Sequence, residues 1–444
     1  MRPDSDWVRS LVKMAESPLN FQFVALSTAL KSVLVNDYAS YVFQTDGTDS
    51  SLLPAGLCGM KYVDAARLLT SSDSAVLRAV GLWAMSRCLD HQKGEEIEYE
   101  GKFLGSQELS LEALRVDSRC SVAFCRLGYH VGLHETAHST VCLPDGRTLN
   151  HRQLFLEALL CDSTCYLAYY NLGVALEASE TILLPDGRSL TRRQLYLEAL
   201  RYHSNYSNSY FNLAFDLAAG ETLMLHDGRT LDKLQLLLES VRCNSTDADV
   251  YFSLGALSAV DKSILLPDGR VLSKRQLYLE ALRLDSDFSN AYYNLALLLT
   301  DGEAVLLHDD RSLNKRQLYL EALRCDPNAC YAYHNLATCL SPGEKIVLND
   351  GRSLSSHQLS LEGLRSDPGC EQVRSYFLAS LPPGHAWTRQ SHSLAFGTMP
   401  VNLLFATLLL GLQHLETNGV LPLAHHSMLE DMLEGWTWRD TQLC

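Results

Sequence analysis

Apolar residues recur along the chain in a fixed order that combines a helical and an extended period. In residues 289–329, both Asn290 to Leu299 and Asn314 to Asp326 carry apolar residues at helical spacing. Between them, Ala304 to Leu313 reads as two short extended runs around a turn. The pattern therefore predicts a helix, a β-hairpin and a second helix within one repeat.

The repeat has a regular length, which the tripeptide Asp-Gly-Arg and its variants mark. Lys102 and Leu57 stand in the same context at spacings of about 45 residues, and later arginines follow at a constant interval of about 41 residues. We predict about eight repeats in an array over residues 31–381, with helical caps at 1–30 and 382–444. The marking arginines are Arg147, Arg188, Arg229, Arg270, Arg311 and Arg352. The predicted repeats are 31–75, 76–120, 121–165, 166–206, 207–247, 248–288, 289–329 and 330–370.

The turn between the two extended runs has a defined chemistry. Pro185-Asp186-Gly187 suits a type I turn followed by a left-handed glycine, which is a three-residue hairpin loop. Asp310 replaces that glycine in one repeat, and aspartate tolerates the left-handed region better than most residues. A leucine on each side of the turn is expected to pack against the helices. These leucines are Leu143, Leu184, Leu225, Leu266, Leu307 and Leu348 before it, and Leu149, Leu190, Leu231, Leu272, Leu313 and Leu354 after it.

The second helix of each repeat carries its own start signal. The residue after the second leucine is always a good N-cap, and a glutamine follows three residues later, as in Thr191 and Gln194. This is the capping box, in which cap and glutamine side chains bond each other's backbone N–H groups. The predicted pairs are Asn150/Gln153, Thr191/Gln194, Asp232/Gln235, Ser273/Gln276, Asn314/Gln317 and Ser355/Gln358.

The helix pairs resemble a known family. Each first helix has a large aromatic residue, then leucine, then glycine or alanine, as in Tyr292, Leu295 and Ala296, and a small residue such as Ala322 follows in the second helix. With Asp326-Pro327 closing the repeat, this resembles the tetratricopeptide repeat, whose usual length of about 34 residues leaves about 7 for the hairpin. The resemblance implies a mainly α fold, an α-solenoid of helix pairs that hold other proteins.

Composition narrows the partners. The 444 residues are 47% hydrophobic and 20% charged, which excludes a mostly disordered chain, and the net charge of −15 makes nucleic acid and anionic membranes poor partners. Met1 to Glu16 has no apolar signal core, and Leu403 to Leu412 is too short to span a bilayer. The 13 cysteines form no C-x-x-C pair. We expect a reduced, cytoplasmic protein without metal or other cofactor.

No catalytic motif is present in the sequence. It has no phosphate loop, no zinc-binding HExxH and no nucleophile elbow. A glutamate does recur once per repeat, as at Glu198, but an active site needs one special cluster and not many copies of one residue. We therefore expect no enzymatic activity and no small-molecule substrate, and a structural or interface role for these glutamates.

Two rows of residues on the first helices are candidates for peptide binding. An asparagine can both donate to and accept from an extended backbone, and an aromatic residue directly before it can anchor a partner. For the asparagine, the alternatives are an exposed polar position without a partner protein and a bond to the neighbouring helix. For the aromatic residue, the alternative is packing between repeats. The first row is Asn171, Asn212, Asn294 and Asn335, with Ser253 in the fourth register; the second is Tyr170, Phe211, Phe252, Tyr293 and His334. The preceding tyrosines are expected in the core.

The sequence leaves further function classes open. The arginines of the turns could bind acidic partners, but pairing with the aspartate of a turn is favoured. Leu421-Pro422 with Trp436-Thr437-Trp438 is faintly similar to the opening of an F-box, which would imply a substrate adaptor in protein turnover. RNA binding by helical repeats is a third class, disfavoured by the acidic charge. The leading hypothesis is a scaffold that binds protein or peptide partners in a groove.

Overall fold

The computed structural model describes residues 70, 75–87, 89, 95–133, 139–367 and 370–379. The predicted caps at 1–30 and 382–444 and the F-box-like segment therefore lie outside the described residues, as does the repeat 31–75 except for residues 70 and 75. The chain divides into a first body, Met1–Leu257 with Ile264–Val271, and a second body, Ser258–Ser263 with Leu272–Cys444.

In the described residues, pairs of consecutive helices are separated by short strand pairs. The first body contains α1 (Ala75–Arg87), β1 (Ile97–Tyr99), β2 (Lys102–Leu104), α2 (Ser106–Val116), α3 (Ser121–Leu133), β3 (Thr140–Cys142), β4 (Thr148–Asn150), α4 (His151–Cys161), α5 (Tyr166–Val174), β5 (Thr181–Leu183), β6 (Ser189–Thr191), α6 (Arg192–Tyr202), α7 (Ser207–Asp216), β7 (Thr222–Met224), β8 (Thr230–Asp232), α8 (Lys233–Cys243) and α9 (Ala248–Leu257). The strands β9 (Ser263–Leu265) and β10 (Val271–Ser273) follow where the chain passes between the bodies. The second body continues with α10 (Lys274–Leu284), α11 (Ser289–Leu298), β11 (Ala304–Leu306), β12 (Ser312–Asn314), α12 (Lys315–Cys325), α13 (Cys330–Thr338), β13 (Lys345–Val347), β14 (Ser353–Ser355), α14 (Ser356–Ser366) and α15 (Glu371–Ala379).

Odd-numbered helices are the first helices of the repeats, and even-numbered helices are the second. In the first body α3 packs on α4 and α4 packs on α5, and in the second body α11, α12 and α13 follow the same order. First helices of neighbouring repeats also touch, as α3 and α5 do. The fold is thus mainly α, a solenoid of helix pairs with a short hairpin between the two helices of each pair.

Tyrosines of the first helices form the core of the stack, as predicted. Tyr169 and Tyr210 are each 2% exposed, and Tyr251 is 0% exposed. The Tyr169 hydroxyl donates to the backbone carbonyl of Ser163 in the preceding turn at 3.1 Å, and the other two make the same bond six residues upstream. A buried phenol is tolerated here because this bond satisfies its hydroxyl.

The hairpins have the predicted turn. In β5 and β6, Ile182 faces Leu190, and the backbone N–H of Leu184 donates to the carbonyl of Arg188 at 2.8 Å, which closes a three-residue loop. Gly187 has φ +87°, and Asp310 takes its place in another repeat at φ 64°. Both residues are in the left-handed region that the sequence predicts. The buried leucines of the hairpins attach them to the following helix.

The first described hairpin has a different turn. Tyr99 pairs with Lys102 directly, so that Glu100 and Gly101 alone form the loop, with φ values of 50° and 75°. Two consecutive left-handed residues are typical of a type I′ turn. The hairpin of the repeat 76–120 therefore differs from the later ones, whereas the equally long repeat 121–165 has the three-residue loop, closed by the bond from Leu143 N–H to the Arg147 carbonyl at 2.8 Å.

All six predicted capping boxes form in the structure. In α8, the Asp232 side chain accepts from the backbone N–H of Gln235 at 2.8 Å, and the Gln235 side chain accepts from the backbone N–H of Asp232 at 2.9 Å. Local helix chemistry therefore accounts for the recurring glutamines.

Among the described helices, none is long and apolar enough to cross a membrane.

Candidate peptide-binding face

The predicted asparagine row lies on the first helices. Asn171 and Asn212 belong to α5 and α7 in the first body, and Asn294 and Asn335 belong to α11 and α13 in the second. All four residues are half-buried, as is Ser253 at the same place in α9. Their partial exposure lets them contact a neighbouring helix, an incoming chain, or both.

Two of these asparagines bond an aromatic residue of the preceding repeat. Nδ2 of Asn212 donates to the Tyr170 hydroxyl at 3.3 Å, and Nδ2 of Asn335 donates to the Tyr293 hydroxyl at 2.9 Å. The partners are 42 residues apart in both cases, which is one repeat and one residue. The two predicted rows are therefore coupled, and each bond holds an amide in a fixed orientation.

Where the aromatic residue of the preceding repeat is a phenylalanine, the next polar residue of the row has no tyrosine hydroxyl to bond. Asn294 stands in the sequence at the corresponding place after Phe252, and its Nδ2 donates to the backbone carbonyl of Asn290 in its own helix at 2.8 Å. Phe211 likewise has Ser253 at the next place in the row. Bonding to the neighbouring helix, which the sequence left open, thus occurs at Asn212 and Asn335, and peptide contact stays a prediction.

The aromatic row packs between neighbouring elements. The Tyr170 ring lies 4.9 Å from the ring of Tyr206, edge to face, and 5.8 Å from the ring of Tyr196, as measured between centroids. Burial raises the pKa of Tyr170 above its usual value. Its hydroxyl stays protonated at neutral pH and can donate a hydrogen bond to a ligand or a neighbour.

The other members of this row are also packed. The Tyr293 ring lies 5.9 Å from that of Tyr319, and the Phe211 ring lies 4.7 Å from that of Phe215. Phe252 is half-buried. Tyr170 and Tyr293 thus contact aromatic residues of their own repeats, and Phe211 contacts a residue of its own helix. Packing between repeats and a role as interface anchors both stay predictions for these three residues.

An exposed apolar row that sequence reasoning missed lies one helical turn beyond the asparagines. Val174 is 55% exposed, Phe215 is 56% exposed and Leu297 is 47% exposed. Each follows its asparagine by three residues, so both side chains lie on the same face of the helix. Nζ of Lys233 lies 5.5 Å from the Phe215 ring centroid. The recurrence of these three apolar residues in step with the repeat was the available sequence signal.

His334 in α13 is the last residue of the aromatic row, and its protonation is expected to make the stability of the fold depend on pH. Its ring lies 5.0 Å from that of Tyr376 in α15, and its buried Nδ1 has no hydrogen-bond partner. Burial lowers the pKa of His334 below its usual value. The unfolded chain therefore takes up this proton at a higher pH than the folded chain does, and His334 costs stability as the pH falls through its unfolded value of about 6.5.

We expect His334→Tyr, which places the residue found at Tyr170 and Tyr293, to reduce this pH dependence. The free energy of unfolding of both proteins, measured by urea denaturation between pH 8 and pH 5, should fall more steeply for the wild type. All other histidines are common to both proteins, so their contributions cancel in the comparison. Parallel pH profiles would contradict the assignment to His334.

The arginines of the turns are paired, as the favoured interpretation predicted. Nε of Arg188 donates to Asp186 at 2.7 Å, and Nη1 reaches Glu198 in α6 at 3.1 Å. The hydrogen bonds from Arg188 lower the pKa of Asp186. The same pairing with the turn aspartate occurs for Arg147, Arg229, Arg270, Arg311 and Arg352. The recurring glutamates thus hold the hairpins to the second helices.

A second set of ion pairs links neighbouring repeats, and sequence reasoning missed it. Arg152 in α4 donates to Glu180 in the next repeat at 2.5 Å, and Glu180 also accepts from the backbone N–H of Glu177 at 3.3 Å. The partners are 28 residues apart, and this spacing recurs. The other pairs are Arg193/Glu221, Arg275/Glu303 and Arg316/Glu344. The recurrent spacing was a sequence signal for these contacts.

Part of the chain matches the model of a known family. The tetratricopeptide repeat family model matches residues 318–358, which run from α12 through α13 and its hairpin into α14. The matched segment is a second helix, a first helix and a hairpin, so it crosses one repeat boundary. No curated protein sequence matches the chain.

Solved structures with some likeness to this chain have low sequence identity to it. YrrB, a TPR protein with an unusual peptide-binding site, is 16% identical, covers 53% of this chain and 100% of its own, and has a TM-score of 0.29. Yeast Tom70 is 13% identical, with 86% and 78% coverage and a TM-score of 0.33, and MamA is 18% identical, with 41% and 87% coverage and a TM-score of 0.25. These TM-scores are too low to support an argument about this chain, so the assignment of its fold rests on its own repeats. The chain is a tetratricopeptide-like repeat protein with a β-hairpin inserted between the two helices of its repeats.

Proposed function

We propose that the chain is a protein-binding scaffold, and that α5 and α7 in the first body bind an extended segment of a partner protein. The observation that carries this proposal is the exposure of Val174 and Phe215, one helical turn beyond Asn171 and Asn212. In the second body, Leu297 is exposed one helical turn beyond Asn294, whereas Thr338 holds the corresponding place after Asn335. A tetratricopeptide-like fold suggests protein–protein interaction in general, and the groove contacts are our specific proposal.

Exposed apolar side chains at one register differ from scattered ones. A single surface leucine needs no explanation, whereas a repeated apolar position beside a polar one is typical of an interaction site. Burying a side chain of this size contributes about 1.5–3 kcal/mol. The amides can then bond the partner's backbone, which gives register without demanding one sequence.

Peptide selection tests the proposal directly. A displayed library of random peptides is selected on the full chain, and the affinity of a recovered peptide is measured for the wild type and for V174S/F215S. We expect binding to weaken at least tenfold, since about 1.4 kcal/mol corresponds to a factor of ten. The variant should fold because both residues are about half exposed.

The hairpins offer a matched control. Leu183 and Met224, at the ends of β5 and β7 in the same two repeats, are 65% and 68% exposed. L183S/M224S removes a similar apolar area from another surface and should leave peptide affinity within about twofold. Asn171→Ala adds a polar test that breaks no bond to Tyr170. Selection of no peptide, or equal loss in both double variants, would contradict binding at this face.

The other function classes have no support from the described residues. The substrate-adaptor hypothesis rests on residues 382–444, which lie outside them, and deletion of residues 385–444 tests whether partners are lost. RNA binding remains disfavoured by the net charge of −15. We propose no catalytic role for the glutamates that recur once per repeat, because they pair with arginines. Glu321, for example, lies 2.7 Å from Arg311.

A further inference from the structure

We propose that Cys330, Asp367 and Cys370 in the second body bind a zinc ion. Their two sulfur atoms and one carboxylate oxygen all lie within 4.8 Å of one another, and Sγ of Cys330 lies 4.0 Å from Oδ2 of Asp367. Both cysteines are buried, at 7% and 3% exposure, while Asp367 is exposed. The cluster is thus reachable from solvent on its carboxylate side.

The spacing suits a tetrahedral zinc site. Zinc binds cysteine sulfur at about 2.3 Å and carboxylate oxygen at about 2.0–2.2 Å, so the ligand atoms of one ion lie roughly 3.5–3.8 Å apart. The observed separations need only a small contraction. Two thiolates select zinc over magnesium and calcium, which prefer oxygen ligands. Three protein ligands leave the fourth position to water.

The three ligands lie at the ends of three helices. Cys330 is the first residue of α13, and Asp367 is the C-cap of α14, where its backbone N–H donates to the carbonyl of Gly363 at 3.0 Å. Cys370 directly precedes α15, and its backbone N–H donates to the carbonyl of Asp367 at 3.1 Å. Bound zinc would therefore tie α15 to the last complete repeat.

The ligand set is peculiar to this junction. The same three places in other repeats hold Ser121/Asp162/Cys165, Tyr166/His203/Tyr206, Ser207/Asn244/Asp247 and Ser289/Asp326/Ala329. In the part of the chain that the structure describes, only the set at Cys330 brings three metal-ligating side chains this close together. The sequence prediction of no metal rests on the lack of a C-x-x-C pair, whereas the partner that the fold brings to Cys330 is Cys370, almost one full repeat later.

Substitution to the residues of a neighbouring junction provides a test that should preserve folding. C330S/C370A reproduces Ser289 and Ala329, which fill these places one repeat earlier. The reduced, tag-free full chain is equilibrated with zinc, dialysed, and its zinc content measured by mass spectrometry. We expect the wild type to retain about one zinc more per chain than the variant. Cobalt(II) in place of zinc should give a sulfur-to-cobalt charge-transfer band that the variant lacks.

The control uses another pair of close cysteines. Sγ of Cys125 lies 3.7 Å from Sγ of Cys165, and both residues are buried in the first body. C125A/C165A should leave zinc content unchanged, and D367N should lower it through a second ligand. Circular dichroism checks that each variant folds. Equal zinc in all proteins, zinc loss only in C125A/C165A, or a Cys330–Cys370 disulfide under reducing conditions would overturn the proposal.

Discussion

Replacing Tyr169 with alanine is expected to destabilise the first body by about 3–5 kcal/mol, the cost typical of removing a buried aromatic side chain. Tyr169 is 2% exposed, and its ring stacks on Tyr202 with centroids 5.5 Å apart. Its hydroxyl donates to the Ser163 carbonyl at 3.1 Å. The substitution would therefore leave a cavity between helices and remove the hydrogen bond to the turn carbonyl of Ser163.

Two further substitutions separate the contributions. Tyr169→Phe keeps the ring and loses the bond to Ser163 together with the 3.4 Å bond that the hydroxyl accepts from Nη2 of Arg188, which should cost about 1–2 kcal/mol. Tyr129 in α3 is 47% exposed with Arg126 at 5.5 Å from its ring, so Tyr129→Ala should cost at most about 1 kcal/mol. Urea unfolding followed by circular dichroism gives the three values. Similar costs for both alanine variants would show that Tyr169 is not a core residue.

The pair Arg192 and Asp216 is expected to couple two repeats by about 2 kcal/mol, within the range of about 1.5–3 kcal/mol that hydrogen bonds to charged groups contribute. Arg192 in α6 donates through Nε to Asp216 in α7 at 3.0 Å, and Nη2 bonds the second carboxylate oxygen. The Asp216 side chain is 7% exposed and that of Arg192 is 28% exposed. Water therefore competes little for this bidentate contact.

A neighbouring pair in the same junction is the control. Arg193 and Glu221 lie 2.6 Å apart, but both side chains are 36% exposed. A double-mutant cycle with alanine at Arg193 and Glu221 should give a coupling energy below about 1 kcal/mol, as for other solvent-exposed pairs. The same cycle at Arg192 and Asp216 should give the larger value. A larger coupling for the exposed pair would contradict the role of burial.

The candidate binding face was only half predictable from sequence. The asparagines recur at the length of one repeat or a multiple of it, and local pattern alone placed them on first helices. Whether Asn212 faces a ligand or a neighbour depends on Tyr170, which lies 42 residues earlier in the chain and only 3.3 Å away in the fold. The exposure of Val174 and Phe215 also depends on the neighbours, because an apolar residue on a helix reads as core until those neighbours are known.

The sequence alone determined the repeat, its helix–hairpin–helix order and the helix starts. These features depend on contacts within a few residues, such as the Thr191/Gln194 capping box and the left-handed Gly187, so residue type and spacing are sufficient. Only the tertiary structure decided which side chains of different repeats meet. Cys330 and Cys370, and likewise Arg192 and Asp216, are brought together by stacking, and no local periodicity encodes the distance between them.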